Sequence, residues 1–224
     1  MKKKLLALSV TLAFSSAPAA LYAEGNFNAG KTKAASCAGC HGDLGNSMMP
    51  LFPKLAGQHP TYIVKQLTAF KDGSRKEGTM SAIALSLSEQ DMLDIAAFYE
   101  AQSISKNSLP VLDDDDDEDD EDEDAKEPVD INTLIAKGKD IYRNGDLDNE
   151  VSACIACHGP KGEGNQPASF PTLKWQHADY LIKTLKDYKS GARSKNPDNM
   201  MNMIAKKMTD EEIEAVSYHI SVMK

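Results

Sequence analysis

After an apolar stretch that ends at Phe14, this chain has no long hydrophobic run, only 6% aromatic residues and a single tryptophan in 224 residues. A polytopic membrane protein is therefore excluded, because each helical span needs about 20 apolar residues. With 41% hydrophobic and 26% charged residues, collagen-like and fully disordered readings are excluded too. No segment alternates polar and apolar residues as a half-buried strand does. An excess of basic charge is also missing, and with it the footprint of nucleic-acid binding. The formal charge of -9 is concentrated in one place, since Asp113 to Asp124 are twelve acidic residues in succession. The flanks balance separately, with eight charges of each sign in Glu24–Leu112 and fourteen of each in Ala125–Lys224.

The N-terminus carries Lys2, Lys3 and Lys4, an apolar run from Leu5 to Phe14, and small residues at Ala17, Ala19, Ala20 and Ala23. That order of basic, apolar and small residues reads as a secretory signal over 1–23, cut after Ala23. Its removal leaves 22 basic against 34 acidic residues, 22 − 34 = −12, all of it owed to the acidic run. The expected location is the periplasm of a Gram-negative host. Four cysteines in an exported chain ordinarily suggest two disulfides. Their spacing points elsewhere.

Cys37, Cys40 and His41 form CxxCH, and Cys154, Cys157 and His158 repeat it 117 residues later. The repeat runs on: Phe52, Pro53, Gln58, His59, Tyr62, Gly73 and Arg75 recur as Phe170, Pro171, Gln176, His177, Tyr180, Gly191 and Arg193, all at an offset of 118. After a three-residue insertion, Leu87, Ser88 and Asp91 face Met208, Thr209 and Glu212. The chain is therefore two copies of one unit: a first domain over 24–108, a linker over 109–130 and a second domain over 131–224.

Within each unit the pattern is helical. Ile63, Leu67 and Phe70, like Leu181, Leu185 and Tyr188, share one helix face, and Gly73 and Gly191 stand where helices stop. Pro60 suits a first turn. Ser88 with Asp91, and Thr209 with Glu212, have the spacing of a capping box. A further helix is expected before each CxxCH, around Asn28–Ser36 and Ile131–Arg143. Each unit is thus an all-α domain of about a hundred residues or fewer, too small to fill a core from its own side chains. The acidic run repels itself and cannot bury anything, so it reads as a solvated linker, with a docking arm for a basic partner or a weak cation trap as the alternatives.

Two thiols spaced by two residues present themselves to the two vinyl groups of one haem, and the adjacent histidine meets the iron. Two covalently bound haem c groups are the expected cofactors, attached at Cys37, Cys40, Cys154 and Cys157. Zinc needs four protein ligands, and a thioredoxin-like pair needs strands, so both are the weaker readings. A methionine sulfur as sixth ligand closes the iron and raises its potential. Met80 lies seven residues before Leu87, and Met201 seven before Met208, so register picks these two, with Met200 and Met203 as rivals. Met48, Met49, Met92, Met208 and Met223 read as gap-filling core. His59 and His177 raise bis-histidine ligation, but their place beside helix starts favours a capping or surface role. Trp175 is unpaired between the units and is expected to pack near the second haem.

This pattern resembles the dihaem cytochromes c4, built from two class I cytochrome c domains. CAGCHGDLGNS, FPKLAGQ and LSEQDMLDIAAFY carry the resemblance in the first unit, and CIACHG, GEGNQPASFPTL and MTDEEIEAVSYHI in the second. It implies His41 and His158 as proximal iron ligands, Met80 and Met201 as distal ligands, and Pro53 and Pro171 as carbonyl acceptors for the proximal imidazoles. It also implies two domains packed with their haem propionate edges close. The acidic connector and Lys174-Trp175, where the first unit has Ala56-Gly57, depart from the family. The implied function is an electron carrier, not an enzyme, taking single electrons from a quinol-oxidising complex to a terminal oxidase, with peripheral association with the inner membrane. A dihaem electron-accepting subunit of a larger periplasmic oxidoreductase, such as a sulfide-oxidising flavocytochrome, is the alternative. A dihaem peroxidase is disfavoured by the two aligned methionines. Deleting Asp113–Asp124 should leave both haem absorption spectra unchanged; loss of a haem on deletion would give the run a structural role.

Overall fold

The computed structural model describes residues 24–110, 130–193 and 200–224, so the expected signal segment at 1–23 and the acidic run lie outside it. The first domain holds α1 (Phe27–Ala34), α2 (Ala38–His41), α3 (Pro60–Lys71), α4 (Gly78–Leu85) and α5 (Glu89–Glu100). The second holds α6 (Ile131–Asn144), α7 (Ile155–His158), α8 (Ala178–Ser190), α9 (Met200–Ala205) and α10 (Asp210–Ser221). No strand forms among the described residues, where β pairing is limited to two isolated bridges in the second domain.

The local signals act as expected. Ser88 and Asp91 form a reciprocal capping box on α5, as do Thr209 and Glu212 on α10. These boxes satisfy backbone N–H groups that the first helical turn leaves without partners. Pro60 opens α3, and the left-handed Gly191 closes α8. Two short helices were not visible in the pattern, α4 and α9, and they carry Met80 and Met201.

Each core sits where the first and last helices of a domain cross. Ala34 from α1, Ile63 and Leu67 from α3, and Met92, Ile95, Ala96, Phe98 and Tyr99 from α5 form one cluster. Ile141 and Tyr142 from α6, Leu181 and Leu185 from α8, and Ile213, Val216 and Ile220 from α10 form its counterpart. Glycine sets the closeness of both crossings. A Cβ added at Gly30 would lie 1.9 Å from the Asp94 carbonyl oxygen, and one at Gly138 1.9 Å from that of Ala215. These contacts are backbone on backbone, so no side chain can move aside. The large ring changes helix between domains: buried Tyr99 on α5 accompanies Ala34 on α1, whereas buried Tyr142 on α6 accompanies Ile220 on α10. Met92, Met208 and Met223 are buried as expected, but Met48 is 91% exposed and Met49 43%. Both sit in the loop that follows the first CxxCH, so the core reading of these two is corrected.

Gly138→Ala should destabilise the holoprotein by about 1–3 kcal/mol or more through overpacking of the α6–α10 crossing. Denaturant unfolding followed by helical circular dichroism checks it, and an unchanged midpoint would show that the crossing tolerates a methyl group.

Candidate functional site

In each domain the CxxCH residues wind into a single helical turn, α2 or α7, with the first cysteine at its N-cap and the histidine at its last position. The chain then leaves through a left-handed glycine, Gly42 or Gly159, each at φ 77°. A side chain there would be strained, and a Cβ on Gly42 would lie 2.6 Å from the Asn46 carbonyl oxygen. This turn brings the following loop back over the histidine. Pro53 and Pro171 then present their carbonyl oxygens to the imidazoles: His41 Nδ1–H donates to Pro53 at 2.8 Å, and His158 Nδ1–H to Pro171 at 3.1 Å. A carbonyl only accepts, so the proton is on Nδ1 and the Nε2 lone pair is left for a metal. Burial pushes both imidazoles below their ordinary pKa, which favours that neutral, ligating form. Phe52 and Phe170 complete the mount, with ring centroids 6.4 Å and 6.3 Å from those of His41 and His158.

The four cysteines are not paired as disulfides, and burial raises the Cys154 thiol to about 11. Cys37 packs at the edge of the first core together with Met80, and Cys154 at the edge of the second together with Met201. Met80 is held in α4, whose N-cap, Glu77, accepts the Met80 backbone N–H at 2.7 Å. In α9, Met201 packs against the core while Met200 and Met203 are 40% and 61% exposed.

The donor set in each domain is therefore two thiols, one neutral imidazole and one thioether. It fits a haem bound through two thioether links. It does not fit zinc, since among the described residues no three His, Cys, Asp or Glu side chains gather to hold an ion. The Tyr99 hydroxyl is buried at this site with the Cys37 thiol as its neighbour and no hydrogen bond at ordinary distance, a polar group that a cofactor attached at Cys37 would adjoin.

The residues that recur without an apolar role join the two domains. The Gln176 side chain takes both backbone groups of Lys54, accepting its N–H at 2.8 Å and donating to its carbonyl at 2.9 Å. Gln58 does the same for Thr172, with both bonds at 2.9 Å. His59 and His177 occupy helix N-caps but do not cap with their side chains. Their Nε2 atoms cross the interface instead, to the carbonyls of Glu163 at 2.8 Å and Ser47 at 2.9 Å. The capping or surface reading of these histidines is corrected. Tyrosine and arginine follow the same two-fold: Arg193 donates to Tyr62 at 3.0 Å and Arg75 to Tyr180 at 3.3 Å, and both guanidinium groups also reach Gln66 Oε1. Burial alone would raise the Tyr180 phenol, but the two arginines outweigh it and bring it down to about 7.

Trp175 keeps the backbone conformation of its counterpart in the first domain. It occupies the left-handed position of Gly57, at φ 60° against 66°, and both backbone N–H groups bond the last helix of their domain, at Ile220 and Tyr99. Its indole N–H donates to the Met223 carbonyl, and the Lys174 and Lys106 ammonium groups lie 4.2 and 5.4 Å from its ring centroid. It braces the C-terminus, and lysines cover its ring.

Two sites for covalent haem attachment, one in each of two tandem all-α domains, define a dihaem c-type cytochrome, the class of an electron-transfer protein. A family model for cytochrome c matches residues 27–102 and 135–224. The chain is 37% identical over 230 residues to cytochrome c4 of Azotobacter vinelandii, covering 98% of both. It is 34% identical over 202 residues to the thiosulfate dehydrogenase electron acceptor of Stutzerimonas stutzeri, covering 90% of this chain and 83% of the relative. Among solved structures, reduced recombinant cytochrome c4 from Pseudomonas stutzeri superposes with a TM-score of 0.77 at 36% identity, over 89% of this chain and all of that one. The chain belongs to the cytochrome c4 family.

Proposed function

We propose that this cytochrome is a periplasmic carrier that takes single electrons from a quinol-oxidising complex and passes them to a terminal oxidase, in peripheral association with the inner membrane. Its mature form then consists of domains over 24–108 and 131–224 joined by the acidic linker over 109–130, after loss of 1–23. Thioether links at Cys37, Cys40, Cys154 and Cys157 would hold the haems, with His41 and Met80 as the iron donors in the first domain and His158 and Met201 in the second. The observation that carries this reading is the repeated pairing of a buried His–Pro hydrogen bond with an inward-packed methionine. When bound, haem supplies a one-electron ferric–ferrous couple.

The protein's part is to hold that couple still. The histidines keep Nε2 unprotonated, and the methionines would supply a soft donor that favours the reduced state. The short helices α4 and α9 fix where the sulfur sits. With a histidine and a methionine both donating to it, the iron would have no open position, and electron transfer would need no bond-making there. The balanced charge of each domain flank favours brief encounters with partners over tight complexes.

A second reading follows from the thiosulfate dehydrogenase electron acceptors among the relatives: the chain accepts electrons directly from a periplasmic sulfur-oxidising enzyme. Reduction by quinol in the presence of the isolated quinol-oxidising complex supports the first reading. Reduction only by a thiosulfate- or sulfide-oxidising enzyme supports the second. Met201→Ala should abolish the methionine-to-iron charge-transfer band of one haem and lower its potential, while Met200→Ala leaves both bands in place. The reverse result would shift the ligand by one residue.

A further inference from the structure

We propose that each proximal histidine is positioned from the opposite domain: Gln176 sets the strength of the acceptor used by His41, and Gln58 that of the acceptor used by His158. The Pro53 carbonyl and the Lys54 N–H belong to one peptide group, and it is trans, as every peptide bond among the described residues is. At its oxygen end this group accepts His41 Nδ1–H at 2.8 Å, and at its nitrogen end it donates to Gln176 Oε1 at 2.8 Å. The second domain mirrors it, with the Pro171–Thr172 peptide accepting from His158 at 3.1 Å and donating to Gln58 at 2.9 Å.

A peptide whose N–H is engaged has a more polarised carbonyl and is a better acceptor, so hydrogen bonds in a chain strengthen one another. A stronger acceptor on Nδ1–H makes the imidazole a more basic ligand and favours the ferric state. Lys54, Gln58 and Gln176 are each no more than 6% exposed, which leaves little access for water to replace a lost glutamine. Each glutamine oxygen also accepts the N–H of the residue after it, His177 at 3.1 Å or His59 at 3.0 Å, and each amide N–H donates to the carbonyl of Lys54 or Thr172, so the amide is fixed with its oxygen facing the N–H across the interface. Gln58 and Gln176 are positioning residues acting through a backbone peptide. Each domain thereby contributes to the potential of the other's haem.

The test is a redox titration of the haem-loaded Gln176→Leu protein, with each step assigned through haem methyl resonances linked to Cys37 and Cys40 or to Cys154 and Cys157. The first-domain step should move to higher potential and His41 Nδ1–H should exchange faster with deuterium, while the second-domain step stays. Gln58→Leu should give the mirror result. Thr61→Val, which removes only the interface bond to the Gln166 carbonyl, should move neither. A Gln176 variant that shifts neither step, only its own domain's step, or both equally overturns the proposal, equal movement being the mark of domains simply parting. Should the leucine variant fail to load haem, Gln176→Met, of matching length, carries the same test. The inference rests on His41 and His158 as axial ligands. That reading fails separately if His41→Gly keeps two six-coordinate, low-spin haems.

Discussion

The constraint on which each domain depends is a buried imidazole that must stay neutral, correctly protonated and still. One hydrogen bond to a proline carbonyl does this, and its net worth of about 1 kcal/mol is too small to hold a fold together. Its importance is chemical, because it decides which ring nitrogen carries the proton. Much of the local architecture serves it: Gly42 and Gly159 reverse the chain, the Phe-Pro pair returns over the ring, and the first and last helices cross closely enough to wall the site.

The interface between the domains is polar where a permanent contact is usually apolar. Glutamine is well matched to the task, since its amide offers one acceptor and a donor side, the complement of a backbone N–H and C=O on the same residue. Asparagine carries the same amide one methylene short. Both glutamines stand at equivalent positions and grip equivalent residues, so one solution serves the interface twice. The halves are not identical, however. Lys54 stands where the second domain has Thr172, and burial lowers its ammonium to about 8 while it donates to Ser105 and Asn107. Gln66, which both arginines approach, is matched by Thr184. The two haem environments therefore differ although their mounts repeat.

Much of this was legible in the residues. CxxCH, the i, i+4, i+7 faces of α3 and α8, and the two capping boxes each depend on local chemistry that one chain displays. The methionine register came from the repeat, and within α9 it is Met200 and Met203 that are exposed. What stayed hidden has physical reasons. Helix α4, GTMSAIAL, is apolar nearly all round and offers no face for a periodic reading. Trp175 adopts a backbone that L-residues avoid, which its own identity conceals, although its alignment with Gly57 was the clue. Met48 and Met49 are exposed because the loop faces away from the core, a tertiary fact. The interface escaped because polar side chains carry no burial signal, yet Gln58, His59, Tyr62 and Arg75 all recur at a single offset.

A tether explains why a hydrogen-bonded interface suffices. Two separate domains associating would have to overcome the loss of free translation and rotation, which favours large apolar contacts. Two domains on one chain meet at an effective concentration that reaches the millimolar range for short flexible connectors and declines only gradually with length. The contact is then free to select geometry over affinity. Paired backbone groups and amides do this well, since a shift of register would leave several buried polar groups without partners, at about 1–3 kcal/mol each. A greasy patch tolerates sliding, and sliding would alter the distance between two redox centres. A lattice of directional bonds anchored on the peptides that accept from His41 and His158 ties the register of the domains to the mounts of these two side chains.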